Sequence, residues 1–468
     1  MPGAVILFET SRNEVEKQAA VSRIGEIRRR GYTNAIYGIA DYLTLPIGML
    51  LAAPLLLRHL GVAQYGVWLL ASAAVSGGGI VSGSFGDAAI KYVGECRSRE
   101  DWSGVTRIVR NMMSINLTLS GILALILWCL APYLTHHIAK ADPGLKAICM
   151  MSLRIGSGLL LIKSIESVFI STLRGFEIYG VTVRIAMIFR CAILMSAVVL
   201  ASEGHDVVSI MFASLVLSII GMVAQGAALR NKIGTFSPIP TWDRKTVSDI
   251  ATFGTLSWLQ AVASVVFSQA DRFFVAFFLG APAVAYYGLC VQAAQPVHGL
   301  VSSGMHFLFP HLSARYPVAP GSEIKRKVVL AVRLNILMVS ILSLPVILFG
   351  KHILRIWIGS AFDQQPQFIF PIIVLSFAFL GLNITAHYAL LAAGQVRIVT
   401  GLNLLAGVTM LLLMALSIPG HGLEGAALSR LIYGPITCLA YIRLRDVVWS
   451  PDTPKPLSQP ALYEVANQ

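Results

Sequence analysis

The chain has 468 residues, of which 56% are apolar and 13% charged, and its mean hydropathy is +0.72. These proportions exclude a soluble globular domain and leave room for one large membrane domain. The net charge of +13 would suggest a nucleic-acid binder in a soluble protein. Here the basic residues stand between apolar runs, where membrane orientation explains them and no nucleic-acid partner is expected.

Residues 1–33 read as a polar cytoplasmic segment ending in Arg28-Arg29-Arg30. The apolar scrap at 4–8 is too short for a signal-peptide core. Residues 11–30 suit either an amphipathic helix on the membrane surface or a solvated basic flank. Apolar runs of roughly 20 residues then predict twelve spans, at 34–57, 64–86, 111–135, 147–172, 178–201, 206–229, 252–279, 284–309, 328–350, 368–393, 398–418 and 423–442. The second is the weakest, because Gly77-Gly78-Gly79 and several serines dilute it, although small residues there let helices approach closely. Residues 86–110 alternate charges with apolar positions and read as an amphipathic surface helix. Pro238 and Pro240, ahead of Trp242-Asp243-Arg244-Lys245, mark a linker at 231–247 between two six-helix bundles, 34–230 and 248–445. The tail, 446–468, carries Pro451, Pro454, Pro456 and Pro460 and reads as disordered.

Charge tests this layout. With both termini cytoplasmic, 24 of the 36 Lys and Arg fall in cytoplasmic segments, 5 in outer segments and 7 within spans, as the positive-inside rule requires. The seven are Arg154, Lys163, Arg184, Arg190, Arg272, Arg333 and Arg430; the acids within spans are Asp41, Glu166 and Asp271. Each mid-bilayer charge costs about 3 kcal/mol even on the lenient insertion scale, so such groups should face protein or water. The excess of cations implies an interior that attracts anionic ligands. Arg154, Arg184, Arg333 and Arg430 lie near enough to a helix end to snorkel to the interface, whereas Lys163 and Arg190 are near mid-span. Lys163 and Glu166, at i and i+3, either pair with each other or meet a ligand. Asp271 and Arg272 point about 100° apart on a helix, so at least one needs a partner across a cavity. Gln260, Gln269, Gln292, Gln295, His298, His306, Asn383 and His387 add polarity to the second half. The histidines read individually as helix–helix bonding groups. Tyr37, Tyr42, Trp258, Tyr286 and Tyr388 suit either sugar stacking or ordinary packing. The six cysteines have no CxxC pair and read as packing residues, neither disulfides nor metal ligands.

The stretch 253–316 has an echo in the first half. Leu60-Gly61 and Tyr65-Gly66 correspond to Leu279-Gly280 and Tyr287-Gly288: an apolar helix ends at Leu-Gly and Tyr-Gly opens the next. A second echo sets Leu173-Arg174-Gly175 beside Leu391-Ala392-Ala393-Gly394. One echo per half marks a transporter built from two repeats. The LG-x-x-x-YG turn, the ADRFFVAFFLG segment, Phe309-Pro310-His311-Leu312-Ser313 and the late LAAGQVR…IPGHGLEGAALSRLI segment resemble the MOP (multidrug/oligosaccharidyl-lipid/polysaccharide) exporter superfamily, across about residues 33–445. The likeness is greatest to the Wzx-type flippases of O-antigen and exopolysaccharide repeat units.

That resemblance implies an all-α polytopic protein of the bacterial inner membrane, with about twelve transmembrane helices around a central cavity. It implies a polyprenyl-pyrophosphate-linked oligosaccharide as substrate, flipped by alternating access with the lipid tail left among membrane lipids. Lys163, Arg190, Arg272 and Arg333 would meet the anionic groups, with Arg154, Glu166, Asp271, Gln292 and His306 also lining the cavity. By the same resemblance Asp41 would bind a coupling proton or sodium ion, unless it pairs with a neighbouring Arg. A polysaccharide polymerase machinery is the implied protein partner. The sequence has no P-loop, HExxH or GxSxG and only short loops, so neither enzyme activity nor a cofactor is expected. A cation-coupled drug or metabolite antiporter, or a membrane-embedded glycan polymerase or ligase, are the alternative readings.

Overall fold

A computed structural model describes residues 44–80, 85–139, 142–233, 238–316, 320–359, 366 and 368–449. The N-terminal surface helix, Tyr37, Asp41, Tyr42 and most of the proline-rich tail lie outside those residues. The described chain is helical, with no strand. Its elements are α1 (Thr44–Ile80), α2 (Gly86–Ser98), α3 (Trp102–Ile138), α4 (Pro143–Gly175), α5 (Tyr179–Ser202), α6 (Val207–Ile233), α7 (Arg244–Leu279), α8 (Ala281–Met305), α9 (Leu308–Arg315), α10 (Gly321–Ile358), α11 (Ile369–Ala392), α12 (Val396–Leu431), α13 (Tyr433–Cys438) and α14 (Ala440–Trp449). Helix therefore continues to Trp449, four residues into the tail read as disordered.

Nine stretches among the described residues are long and apolar enough to cross a membrane. Two of them are broken by glycines in the left-handed region, Gly61 at φ 74° and Gly422 at φ 57°, which no continuous helix tolerates. Counting each as two spans and adding α8 recovers the twelve predicted. The chain is a multi-pass membrane protein.

The reversals show the internal repeat more sharply than the sequence does. Gly61, Glu177 and Gly204 in the first half have positive φ, and so do Gly280, Gly394 and Gly422 in the second. The paired positions stand 219, 217 and 218 residues apart. Glu177 and Gly394 sit in the same C-cap motif. Glu177 N–H donates to Arg174 O and Ile178 N–H to Leu173 O, as Gly394 N–H does to Leu391 O and Gln395 N–H to Leu390 O. The conformational counterpart of Gly394 is thus Glu177, two residues beyond the Gly175 that the second echo suggested.

Asp101 and Asp243 cap α3 and α7 on the basic side of the molecule, and Asp142 caps α4 on the opposite side, by accepting from the N–H of Gly104, Thr246 and Leu145 respectively. The Thr246 hydroxyl holds the Asp243 carboxyl below the usual carboxylate range. α2 is not a lone surface helix. It buries Ala88, Ala89 and Val93 in a cluster with α3 and α4 that also takes in Ile250 of α7. The linker is tied to α3: Arg110 Nε donates to Ile239 O (2.8 Å), Ser114 Oγ to Thr241 O (2.7 Å) and Asp243 N–H to Asn111 Oδ1 (2.7 Å).

α7 then runs alongside α3 to the other side, where His137 stacks on Phe277 (4.4 Å between centroids) and Tyr133 packs beside it. The reciprocal contact lies across the molecule, where Trp357 Nε1 of α10 donates to Leu50 O of α1 (2.7 Å). Each half thus packs its first span against the third span of the other. The two Tyr-Gly segments also meet. A Cβ at Gly66 would lie 1.9 Å from Ala281 O, and one at Gly288 would lie 2.6 Å from Leu69 Cδ1.

Candidate functional site

The centre of the second half is a buried polar network. Asp271 of α7 has no solvent exposure. Its Oδ2 accepts from Tyr287 OH of α8 (2.9 Å) and from Arg430 Nη1 of α12. Arg430 also reaches Tyr287 OH (3.4 Å) and lies 4.7 Å over the ring of Phe377 on α11. Four helices therefore converge on one ion pair, in which every strong acceptor is met by a donor. This corrects the snorkelling reading of Arg430: its side chain points into the bundle and is only 11% exposed. It also supplies the partner that at least one of Asp271 and Arg272 required, and Asp271 is the one that takes it.

Arg272, next in sequence, points elsewhere, as the 100° step demands. Its Nη1 donates to Gln269 Oε1 (3.1 Å), while its Nε is buried without a hydrogen-bond partner. Nearby is a polar bridge between the halves: Tyr65 OH of α1 donates to Gln292 Oε1 of α8 (3.4 Å), and Gln292 Nε2 is buried and unpartnered. Arg272 is close enough for its charge to act on Tyr65. The network thus ends in two unused donors, a guanidinium Nε–H and an amide N–H, beside the seam. Groups of this kind suit an anionic or hydroxyl-rich ligand.

The other predicted residues separate into distinct environments. Lys163 and Glu166 form an ion pair (2.7 Å), with Glu166 buried and Lys163 partly exposed. Arg154 lies 4.9 Å over the ring of Trp128. Arg190 is half-buried on α5 and continues the buried stripe of Ala186, Leu194 and Ala197. That face meets α1, since Leu194 approaches Gly48. Arg184 is exposed and its Nε donates to Gly180 O (2.9 Å), consistent with snorkelling. Arg333 is corrected: it is exposed among Leu330, Leu334 and Leu337, on the side of α10 opposite buried Asn335 and Val339. It is not brought to the other cations. His306 caps the end of α8, is exposed, and stands edge-on to Tyr388 (5.9 Å). Asp41 lies outside the described residues.

Sequence reasoning missed Tyr65, Tyr287 and Arg430. The signal for Arg430 was electrostatic. Asp271, deep in the second half, needed a cation, and Arg272 points the wrong way. The tyrosines were visible only as repeat markers.

The family described as polysaccharide biosynthesis protein matches residues 100–366, more than half of the chain. A Shigella flexneri protein named for O-antigen transport is 26% identical over 189 residues, which is 40% of this chain and 44% of that relative. The chain therefore spans less than half the length of this relative. Among solved structures, the lipid II flippase MurJ in an inward closed conformation superposes with a TM-score of 0.67 at 14% identity, covering 89% of this chain and 87% of that one. An inward-facing MATE-family multidrug transporter of the MOP superfamily gives 0.58 at 16% identity, covering 88% and 98%. These two likenesses establish the fold: two helical bundles of the MATE and MurJ kind.

Proposed function

The chain belongs to the polysaccharide biosynthesis protein family, and from that premise we propose that it flips a polyprenyl-pyrophosphate-linked oligosaccharide from the inner to the outer leaflet of the bacterial cytoplasmic membrane. Bundles 34–230 and 248–445 would rock against each other, with both termini cytoplasmic. The family membership, the relative named for O-antigen transport and the flippase-like fold support this reading.

The observation that carries it is Arg272. Asp271 is ion-paired with Arg430 and hydrogen-bonded by Tyr287, so the adjacent guanidinium is left with its charge and an unused Nε–H at the seam. A pyrophosphate is the part of the substrate that needs such a group. Arg190, on the face of α5 that meets α1, would be the second cation. Lys163 is occupied by Glu166, and Arg333 faces away. Gln269, Gln292 and Tyr65 would meet sugar hydroxyls, and the polyprenyl tail would remain in lipid between the bundles.

Losing one charge-assisted hydrogen bond of this kind costs about 1.5–3 kcal/mol, or roughly a 10- to 100-fold loss of affinity. In a host deleted for the gene, Arg272→Ala should therefore fail to restore surface polysaccharide, leaving intact lipid-linked repeat units on the inner leaflet. Its expression and thermal stability should match the unsubstituted protein. Normal glycan with a new drug sensitivity in the deletion host would instead identify an antiporter. Repeat units that reach the outer face unpolymerised would identify a polymerase or ligase.

A further inference from the structure

Among the described residues, His298, His306 and His387 in the cytoplasmic half of the second bundle are not used by the proposed function, and neither is His311 of α9, which lies 3.2 Å from Lys327 Nζ. His298, Ser302 and His306 follow one another at four-residue spacing along α8 and its C-cap, so they share one face. Tyr388 of α11 faces them, with its hydroxyl 3.3 Å from Ser302 Oγ and its ring edge-on to His306. His387, adjacent on α11, packs edge-on to Tyr388 at 5.6 Å. His298 lies within electrostatic reach of both His387 and Arg430.

Among the described residues, neither His298 nor His387 makes a hydrogen bond or an ion pair, and both are half-buried. Asn383, one turn before His387, has its Oδ1 buried without a partner. Asn383, His387, Asn403 and Thr437 line a small cleft between α11, α12 and α13.

We propose that His298 and His387 form a proton-binding site, and that a proton bound there acts on the Asp271–Arg430 pair. The reasoning is electrostatic. The facing groups are His306 and Tyr388, Arg430 on α12 with Tyr433 beside it, and, beyond Arg430, Asp271 and Arg272 on α7. α10 presents neutral Asn335 on this side, and its Arg333 points away. No carboxylate among the described residues is hydrogen-bonded or ion-paired to either ring. A proton therefore places a new cation opposite Arg430, in a space with little water to screen it. Two responses relieve the repulsion: Arg430 withdraws from Asp271, or the cleft opens to water. Either changes the contacts of α7 and α12. By linkage, a conformation that hydrates the pair binds the proton more tightly, and the proton favours that conformation by the same factor. Unused acceptors, Asn383 Oδ1 among them, are available to an imidazolium N–H. His306, exposed at the end of α8, connects the pair to the cytoplasmic side.

The test uses the full-length protein in sodium-free lipid nanodiscs, with spin labels at Lys232→Cys and Arg326→Cys in a cysteine-free background. These exposed positions report the separation of the two halves on the basic side. The unsubstituted histidines should give an inter-label distance distribution that changes between about pH 5 and 8, the range in which histidines titrate. His298→Gln/His387→Gln should lose that change while remaining monodisperse and equally helical. If the double variant does not fold, the two single variants should each shift the midpoint or shrink the amplitude. A pH response that survives in the folded variants would overturn the proposal, as would a pH-independent distribution that responds only to added sodium. Since no substrate is present, the result stands apart from the flippase reading.

Discussion

At the scale of single residues, the informative contrast is between neighbours. Asp271 and Arg272 are adjacent in sequence, yet the helix sends one into a closed network and the other to the seam. A buried pair is costly to break from one side, because the survivor is left charged and unmatched; about 3–5 kcal/mol is typical. Arg430→Gln and Asp271→Asn should therefore each lower the apparent Tm in detergent markedly. Combining Asp271→Asn with Arg430→Gln should recover much of the loss, since no net charge remains buried. If the double variant were as unstable as the sum of the singles, the network would not be acting as a unit. Arg272→Ala should leave the Tm almost unchanged, which separates a binding group from a structural one. The intramembrane charges were legible in the sequence, as was the need of at least one of Asp271 and Arg272 for a partner. Its identity was not. Distance from a helix end suggests snorkelling for Arg430, and only the packing of α12 against α7 turns that side chain inward.

At the scale of elements, the glycines carry the fold. Gly61, Gly280, Gly394 and Gly422 hold positive φ at the reversals, and the Leu-Gly pairs were readable for that reason. The use of Gly66 and Gly288 was not readable, because it depends on a contact between halves. Both sit where the two Tyr-Gly segments cross, and a methyl group at Gly66 would meet the carbonyl oxygen of Ala281. Backbone cannot yield as a flexible side chain can, so Gly66→Ala should push the segments apart at a cost of about 1–3 kcal/mol. Gly288→Ala meets only the tip of Leu69 and should cost less. Comparing the two Tm values checks the ranking, and an equal or reversed order would mean that the crossing does not seal this side. The amphipathic pattern of residues 86–110 gave the helix α2 but not its burial. Its apolar face was equally suited to lipid and to the α3–α4 surface it covers.

At the scale of the whole molecule, the two halves are interlocked rather than merely adjacent. α1 is held to α10 by Trp357 and Leu50, and α7 to α3 by Phe277, Tyr133 and His137. The twelve spans and the repeat were legible because hydropathy and turn glycines are local properties; the exchange of first helices is a long-range one and left no local mark. It has a mechanical consequence. If the bundles rock, one side cannot open unless the Tyr133–Phe277 contact separates or the first helices bend. A Tyr133→Cys/Phe277→Cys pair, in place of rings whose centroids lie 6.2 Å apart, should be bridged by a bifunctional methanethiosulfonate reagent in a background lacking exposed Cys129 and Cys191. Bridging should stop polysaccharide export, and reduction in the same cells should restore it. Tyr133→Cys alone should export normally under both conditions. Full export by the cross-linked pair would show that this contact persists throughout the cycle, and motion would then have to occur by bending within α1 and α7 rather than by separation of the halves at this site.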